Sequence, residues 1–483
     1  MLVTAPSPSS TETQAKYVYI QTLGCQMNLA DSELMLGLLA REGFQPTPTP
    51  DNADLLILNT CQIRENAEKN AYKAMNPWAK LKHARPHIKL AMAGCVAQQT
   101  KEGVFEKAPF IDIVFGTQNI HSLPSLVRRA FDDGEQQVIA VDKQKEKSTF
   151  DYFDNVTQIR QSSVTAWVSI IEGCDYFCTY CVVPYTRGRQ ISRKPESIIA
   201  EVERLAEQGI KEITLLGQTV DAYGKDFNDR QYDLADLFEA MNAIEGIERI
   251  RFMTSHPLDM SDRIIDAIAT LPKVMEYLHI PMQSGDTEVL RRMRRGYTAE
   301  AFYELTDKIY ERIPKVAISG DYIVGFPGET HEQFMNSVYS VGRAGFYLAN
   351  TAAYSARKQT PAAIWEERYD EQRVSDEEKA ERLRILNDVI GKQGLASNMK
   401  LEGTAPEILV EGPSRKNPNR LMGRTRDNRV VNFDTPLPFD SLIGKVIHVP
   451  IVEAHSFSLL GHYTGEATLS NTTIDAQAAV TFA

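Results

Sequence analysis

Six cysteines are the residues of this chain that are best suited to chemistry, and their spacing divides them into two groups of three. Cys174, Cys178 and Cys181, the loop trio, follow a CxxxCxxC pattern. Three thiols this close in sequence can surround one metal centre but cannot all pair as disulfides. A 4Fe–4S cluster normally takes four thiolates, so three would leave one iron open. We predict such a cluster; the alternative is a zinc ion that takes a fourth ligand from His256 or His279.

The other three cysteines, Cys25, Cys61 and Cys95, have no local spacing, and we call them the N-terminal trio. Each follows a short apolar run that is typical of a β-strand, and helix-like stretches separate the runs. This alternation predicts a parallel sheet, whose strands end along one edge. The thiols are therefore expected to converge on a second cluster, with three unrelated buried cysteines as the alternative. The strand-like runs are Tyr17–Leu23, Leu55–Asn59 and Lys89–Ala93, and the helix-like stretches are Asp31–Arg41 and Glu65–Lys82.

The 483 residues are enough for several domains, and their patterns predict an α/β architecture with a small all-β barrel at the end. Residues 16–140 are predicted to form the parallel-sheet domain, 141–159 a linker, 160–395 a (β/α)6 partial barrel and 396–466 the all-β barrel. Residues 1–15 and 467–483 are predicted to be disordered tails. Reactive groups of barrels lie at the carboxyl ends of the strands, and the loop trio follows the first strand. The predicted barrel strands are Ala166–Ile171, Lys211–Leu216, Arg249–Met253, Tyr277–Ile280, Val316–Val324 and Leu348–Tyr354.

The charge balance restricts the partners. With 53 basic and 64 acidic residues, the net charge is −11, which argues against a protein that coats nucleic acids indiscriminately. Residues 414–432 are the exception, because six basic side chains there meet one acidic side chain and give a local charge of +5. We predict that this segment contacts RNA phosphates, with a solvated hairpin as the alternative. Its basic residues are Arg415, Lys416, Arg420, Arg424, Arg426 and Arg429.

The residues around the loop trio resemble the radical S-adenosylmethionine (SAM) enzymes, and in particular their methylthiotransferase family. The segment that carries this resemblance is Glu172–Arg189. Segments around the N-terminal trio are similar to the same family, and the C-terminal module is similar to the TRAM domain, a small β-barrel that binds RNA. The segments around the N-terminal trio are Thr22–Asn28, Asn59–Arg64 and Gly94–Gln99.

The resemblance implies a tRNA methylthiotransferase with two 4Fe–4S clusters. The loop trio would hold the radical SAM cluster and the N-terminal trio an auxiliary cluster. One SAM would donate the methyl group, and a second would be the source of the 5′-deoxyadenosyl radical. Arg187–Arg193 and Arg251–Pro257 are most similar to members that modify carbon 2 of N6-dimethylallyladenosine at position 37, beside the anticodon. The alternatives are the same reaction on N6-threonylcarbamoyladenosine and a non-catalytic Fe–S protein that binds RNA.

The family resemblance also implies partners and a cellular setting. We expect a monomer that binds the anticodon arm of tRNA and depends on an electron donor and a sulfur or Fe–S supply protein, neither of which the sequence identifies. No apolar run approaches the roughly 20 residues needed to cross a bilayer, so we expect no membrane contact. Six thiolate ligands would require a reducing compartment, and we therefore expect a cytoplasmic location.

Residues that follow the predicted barrel strands are the candidate SAM contacts. Glycines there would let the backbone approach the cofactor, although simple βα turns are the alternative. We expect no catalytic side chain beyond the cluster ligands. A run of arginines at residues 291–295 is either a solvated helix face or a contact for tRNA phosphates. The candidate SAM contacts are Gly217, Gln218, Ser284, Gly325, Pro327 and Gly328.

Overall fold

The computed structural model of the protein describes residues 15–61, 67–142, 150, 156–160, 162–228 and 232–465. The chain divides into two compact units, with the boundary between Gln393 and Gly394. The predicted tails at 1–15 and 467–483 lie almost wholly outside the described residues, and so does most of the predicted linker at 141–159. In the described part of the chain, no helix is long and apolar enough to cross a membrane.

The first unit begins with a six-stranded sheet in which every neighbouring pair is parallel, in the order β2-β1-β3-β4-β5-β6. This confirms the predicted N-terminal parallel sheet, although the three-residue edge strands β2 and β6 are too short to be recognised from their pattern. The elements are β1 (Lys16–Thr22), α1 (Gln26–Arg41), β2 (Phe44–Pro46), β3 (Leu55–Thr60), α2 (Ala67–Ala84), β4 (Lys89–Gly94), α3 (Cys95–Thr100), α4 (Gly103–Lys107), β5 (Ile113–Phe115), α5 (Leu123–Phe131) and β6 (Val138–Ala140).

The central strand β3 explains why this sheet is covered on both faces. All six of its residues are buried, as is typical of a parallel strand between two helical layers. Leu55 and Ile57 enter one apolar core, while Leu56 and Leu58 enter the other, on the opposite face. The alternation of side chains along the strand therefore builds both cores and fixes where β3 ends, which is directly before Cys61.

The rest of the first unit is the predicted partial barrel, with six parallel strands that alternate with helices. Strands β7, β10 and β11 form one sheet and β12, β13 and β14 another, and a parallel bridge pairs Ile250 of β11 with Val274, which lies shortly before β12. The elements are β7 (Thr165–Ser169), β8 (Ile171–Glu172), α6 (Val183–Thr186), β9 (Ile191–Ser192), α7 (Pro195–Glu207), β10 (Glu212–Leu216), α8 (Leu234–Asn242), β11 (Arg249–Phe252), α9 (Asp262–Thr270), β12 (Tyr277–His279), α10 (Thr287–Arg292), α11 (Ala299–Arg312), β13 (Ala317–Val324), α12 (His331–Arg343), β14 (Leu348–Ala353), α13 (Pro361–Arg368) and α14 (Asp376–Met399), whose last turns belong to the second unit.

The second unit is the predicted small β module. Its strands run in the order β18-β15-β16-β17-β20-β19, and all neighbours are antiparallel except β17 and β20. Val446–His448 and Ile451–Ala454 are separate strands, because Pro450 between them has no N–H for the ladder. The elements are β15 (Glu407–Pro413), β16 (Leu421–Thr425), β17 (Val430–Asp434), β18 (Val446–His448), β19 (Ile451–Ala454) and β20 (Leu459–His462).

Gly94, the residue directly before Cys95, tests how tightly β3 and β4 fix the N-terminal trio. Gly94 has φ +90°, and a Cβ there would meet the Thr60 carbonyl and come within 2.7 Å of Asn59 Oδ1. Gly43 also has a positive φ, but a Cβ there would meet no atom within 4 Å. We therefore expect Gly94→Ala to cost about 2 kcal/mol more than Gly43→Ala, because only Gly94→Ala adds overpacking to backbone strain.

The measurement is the midpoint of urea unfolding followed by circular dichroism, with Gly43→Ala as the matched control. Equal midpoints for the two variants would contradict the close packing of the β3 and β4 ends.

Candidate functional site

The structure brings the N-terminal trio together at the carboxyl edge of the first sheet. Cys25 caps α1 after β1, Cys61 follows β3, and Cys95 begins α3 directly after β4. The side chains of Cys25 and Cys61 are hydrogen-bonding partners, and the thiols of Cys25 and Cys95 are close enough to interact electrostatically. Three cysteines that are far apart in sequence thus lie around one point, as parallel strand ends require.

The thiols of the N-terminal trio differ in acidity. The hydrogen bond from Cys61 lowers the pKa of Cys25 to about 6, against burial, which raises it, and with help from the positive charge of Arg187. Burial raises the pKa of Cys95, and Arg187 opposes that rise. A metal centre binds thiolates rather than thiols, so Cys25 is already prepared for ligation. The donor set, three thiols with an arginine beside them, fits an Fe–S cluster.

Two buried asparagines hold the strand ends beneath this trio. Asn28 Nδ2 donates to Asn59 Oδ1 at 3.1 Å and to the Thr60 carbonyl at 3.0 Å. Asn59 Nδ2 donates in return to the Asn28 carbonyl at 2.8 Å. Cys25 Sγ lies 3.3 Å from Asn28 Oδ1, to which it donates only while the thiol is protonated. Sequence reasoning gave these amides no role, although both lie in segments that carry the family resemblance.

The loop trio lies in a loop that β8 and β9 close at its base. These two-residue strands pair antiparallel, and the Cys174 N–H donates to the Gly188 carbonyl at 3.2 Å. Backbone N–H groups point at two of the sulfurs, from Tyr176 to Cys174 Sγ and from Val183 to Cys181 Sγ, both at 3.4 Å. Such N–H groups stabilise thiolates, so the loop is built to hold charged sulfur.

Arg295 is the charged partner of the loop trio. Its guanidinium donates to Cys178 Sγ at 3.4 Å and to the Pro281 carbonyl at 3.1 Å, and the residue is only 5% exposed. Burial raises the pKa of Cys174 to about 11 and that of Cys181 to about 12, so without a metal these two thiols hold their protons.

The arginine run at 291–295 is therefore not one surface. Arg291 is exposed and pairs with Glu288 at 2.6 Å, whereas Arg292 donates to the Pro327 carbonyl at 2.6 Å. Arg295 turns inward to the loop trio. The spacing of charges along the chain could not separate these roles, because all of these arginines are alike in sequence.

Unpartnered polar atoms lie buried beside the loop trio, after strands β10 and β11. Within the described residues, five such atoms have no hydrogen-bond partner, and buried polar groups normally have one. Tyr176 connects them to the cysteine loop, since its ring stacks on His256 at 3.7 Å and its hydroxyl donates to Asp259 Oδ1 at 2.8 Å. These atoms fit a bound polar molecule such as SAM. They are Gln218 Oε1, Thr219 Oγ1, Ser255 Oγ, His256 Nε2 and Asp259 Oδ2.

The candidate SAM contacts lie in three places. Gly217 and Gln218 lie at the end of β10, next to the polar atoms just described. Ser284 Oγ lies 3.3 Å from Ser337 Oγ of α12. The remaining three, Gly325, Pro327 and Gly328, lie in the loop after β13, where their backbone groups already have partners within the protein. Gly325 N–H donates to Glu329 Oε2 and Gly328 N–H donates to the Gln372 carbonyl, both at 2.6 Å. The Pro327 carbonyl accepts from Arg292.

The two histidines considered as zinc ligands have other surroundings. His279 engages both ring nitrogens, with Ser319 Oγ at 2.8 Å and Asp321 Oδ2 at 3.2 Å. His256 stacks on Tyr176. Among the described residues, no three His, Cys, Asp or Glu side chains are placed to hold a single metal ion together. A 4Fe–4S cluster is larger than one ion, so its thiolate ligands lie further apart than those of a single ion.

Arg187 is the functional residue that sequence reasoning missed. The segment that leaves the loop trio docks on the first sheet domain, because Thr117 Oγ1 donates to the Thr186 carbonyl at 3.0 Å. The Arg187 guanidinium then pairs with Asp31 of α1 at 2.7 Å and is a hydrogen-bonding partner of Cys95. The barrel thus supplies a buried positive charge to the N-terminal trio. Its position in the family-like segment Arg187–Arg193 was the only signal.

In the second unit, most of the predicted RNA-contacting side chains have partners. Arg420 pairs with Asp434 at 2.9 Å, Arg424 with Glu411 at 3.0 Å and Arg429 with Asp427 at 2.7 Å. Arg426 is partly exposed. Arg415 and Lys416 are exposed in the β15–β16 loop, and no acidic partner for them occurs among the residues that the structure describes. The exposed positive charge of the segment is therefore concentrated in this loop.

Comparisons with known proteins cover nearly the whole chain. Residues 17–116 match the family described as Uncharacterized protein family UPF0004, residues 168–338 the radical SAM superfamily and residues 400–464 the TRAM domain. A protein of Geobacillus kaustophilus named tRNA-2-methylthio-N(6)-dimethylallyladenosine synthase is 44% identical over 451 residues, which are 93% of this chain and 82% of that protein. The protein of that name from Bordetella avium is 42% identical over 463 residues, 95% of either chain.

A solved structure shares the fold. The radical S-adenosylmethionine methyltransferase TsrM from Kitasatospora setae has a TM-score of 0.54 at 14% sequence identity, over 72% of this chain and 74% of that one. At this identity the likeness concerns the fold alone.

The charge state of His256 can be tested directly. Its pKa is lowered from 6.5 to about 2, mainly by burial and in addition by the positive charges of Arg295 and Lys225. We expect its ring to stay neutral from about pH 5 to 8, without a titration step in the NMR spectrum of ¹³C-histidine-labelled protein. Because the unfolded chain takes up this proton near pH 6.5 and the folded chain does not, His256 should reduce stability as the pH falls below that value.

His256→Gln identifies the resonance. A His256 signal that titrates near pH 6 would contradict this burial.

Proposed function

The chain belongs to the radical SAM family of tRNA-2-methylthio-N(6)-dimethylallyladenosine synthases, and on this premise we propose how its two cysteine trios divide the reaction. The protein is a tRNA methylthiotransferase that uses SAM and a 4Fe–4S cluster, and it inserts a methylthio group at carbon 2 of N6-dimethylallyladenosine beside the anticodon. The loop trio would hold the radical SAM cluster, and the N-terminal trio a second cluster that carries the sulfur.

The chemistry of the substrate explains why metal centres are needed. An aromatic C–H on adenine has no acidic proton that a side-chain base could remove, and general acid–base catalysis is limited to protons within its reach. When bound, the cluster and SAM supply the radical chemistry that removes this hydrogen. The chain's own task is then to hold, orient and protect these groups.

The convergence of Cys25, Cys61 and Cys95 is the observation that carries the proposal of a second cluster. These residues come from three separate strand ends, yet Cys25 interacts with the thiols of both Cys61 and Cys95. Cys61 and Cys95 are each 4% exposed, and Cys25 is half-buried, so the site is largely shielded from water. Buried cysteines with no common role have no reason to meet at the edge where ligands of parallel sheets bind.

The polar atoms beside the loop trio support a SAM site at the end of β10 and β11. Gln218 and Ser255 offer hydrogen-bonding oxygens, and neutral His256 can donate or accept through Nε2. Asp259 has one oxygen bound by Tyr176 and one left for a ligand. These groups would orient the cofactor through hydrogen bonds.

The tRNA is the partner that the TRAM domain and the family imply. We also propose that the enzyme works in the cytoplasm, where thiolates stay reduced, and that a separate protein donates its electrons.

Analysis of nucleosides from a deletion strain by mass spectrometry tests the substrate. We expect the methylthio form of dimethylallyladenosine to disappear and to return on complementation; an unchanged peak would overturn the proposal. Loss of the methylthio form of threonylcarbamoyladenosine instead would identify the alternative substrate.

Cys61→Ala tests the division of labour between the trios. Without its third thiolate, the N-terminal trio should lose its cluster, so the iron content should fall from about eight to about four per chain. We expect methylthiolation to be abolished while reductive cleavage of SAM continues at more than about half the wild-type rate, because the loop trio is intact. The measurements are iron analysis, 5′-deoxyadenosine release and nucleoside mass spectrometry after anaerobic reconstitution.

Cys174→Ala is the matched control, since it should abolish both SAM cleavage and methylthiolation. Methylthiolation retained by Cys61→Ala would refute the second cluster. A wild-type chain with zinc or with no SAM cleavage would favour the non-catalytic RNA-binding alternative.

The double variant Arg415→Ala/Lys416→Ala tests the RNA contact of the second unit. These side chains are exposed, so each neutralised phosphate should contribute to the salt dependence of tRNA binding. We expect the slope of log K against log salt concentration to decrease by about two in magnitude. Lys400→Ala, which removes an exposed cation outside the basic segment, is the control. An unchanged slope in the double variant would contradict the contact.

A further inference from the structure

We propose that Arg295 and Arg187 are positioning residues that set the reduction potentials of the two clusters, one arginine for each cysteine trio. The inference rests on the proposed function, because it assumes that both trios hold clusters. Neither arginine was expected to lie at a cluster: Arg295 belonged to a run of surface-like charges, and Arg187 had no assigned role.

Arg295 is fixed against the loop trio by its own hydrogen bonds. Its Nε donates to the Tyr297 hydroxyl at 2.9 Å and one terminal nitrogen to the Pro281 carbonyl at 3.1 Å. The other terminal nitrogen donates to Cys178 Sγ at 3.4 Å. The guanidinium therefore cannot turn away without breaking bonds on two sides, and at 5% exposure it is shielded from water.

Arg187 has the same relation to the N-terminal trio. Asp31 holds its guanidinium at 2.7 Å, and Gln118 Nε2 holds its carbonyl oxygen at 3.2 Å. The side chain is a hydrogen-bonding partner of Cys95 and lies close enough to Cys25 to stabilise its thiolate. Arg187 is 8% exposed, so this charge too is buried. Each trio thus has a buried guanidinium from a different part of the barrel, although Arg187 shares its charge with the carboxylate of Asp31.

The physical effect of such a partner has a definite sign. Reduction adds one electron to a cluster that already carries negative charge, and a nearby positive charge favours the reduced form. Hydrogen bonds to cluster sulfurs and the net charge of the site are known determinants of Fe–S potentials. A buried charge is little screened by salt, unlike an exposed one. Removing either guanidinium should therefore make its own cluster harder to reduce.

The test measures each cluster alone in the full-length chain. Cys61→Ala leaves the loop-trio cluster, and Cys174→Ala leaves the N-terminal-trio cluster. Each is titrated anaerobically with dithionite and followed by EPR, so that the cluster takes up one electron and no bond is made or broken. Into each of these two backgrounds we introduce Arg295→Met, Arg295→Lys, Arg187→Met and Arg187→Lys, one at a time.

We expect Arg295→Met to reduce the ratio of reduced to oxidised loop-trio cluster about tenfold at a fixed potential, a shift of about 59 mV for a one-electron couple. Arg187→Met should shift the N-terminal-trio cluster similarly. Each variant should leave the potential of the other cluster unchanged. Each lysine variant keeps the positive charge, so its potential should lie close to the wild-type value. If Arg187→Met does not assemble its cluster, Arg187→Gln replaces it, since glutamine keeps a donor for Asp31 but no charge.

Arg189→Met and Arg291→Met are the matched controls, because these neighbouring side chains are 68% and 72% exposed. They should leave both potentials unchanged. Two assembled clusters whose potentials do not respond to the Met variants would overturn this inference alone. A wild-type chain that binds only about four irons would overturn the proposed second cluster, and with it the role of Arg187.

Discussion

Parallel strands end along one edge of their sheet, and both cysteine trios depend on this constraint. Cys25, Cys61 and Cys95 each follow a strand of the first sheet, and hydrophobic burial of β3 on both faces fixes where that strand ends. The loop trio follows the first barrel strand in the same way. Packing of apolar side chains thus determines the positions of the thiols, which themselves contribute little to the cores.

Burial of sulfur creates an electrostatic problem that the fold solves with fixed positive charge. Thiolates in an apolar environment are unfavourable, as the raised pKa of Cys95 and that of Cys174 indicate. Arginine is suited to such sites because it stays charged when buried. Arg187 and Arg295 each approach one trio from the barrel, so the barrel supplies the compensating charge for both.

The second unit shows a different use of arginine. Three of its predicted RNA-contacting side chains are paired with carboxylates, which orders the small β module. The carboxylates neutralise these three charges, so they are not free to bind phosphates. Arg429 also donates to Ser397 Oγ at 3.0 Å and so helps to join the end of α14 to the module. The exposed cations Arg415 and Lys416 lie in a loop, where side chains are available to a flexible nucleic acid.

The sequence by itself determined the fold class, the barrel strands and the loop trio, because hydrophobic periodicity and cysteine spacing are local properties. It predicted the N-terminal trio only indirectly, from the strand that each of its cysteines follows. It could not reveal the short edge strands β2 and β6 or distinguish Arg295 from Arg291. Only the tertiary structure decided which arginines are buried on sulfur and which face water. The reason is physical: the sequence specifies the charge of a side chain, but its solvation and its partners depend on residues far away along the chain. For Arg187 these partners are Asp31 and Cys95.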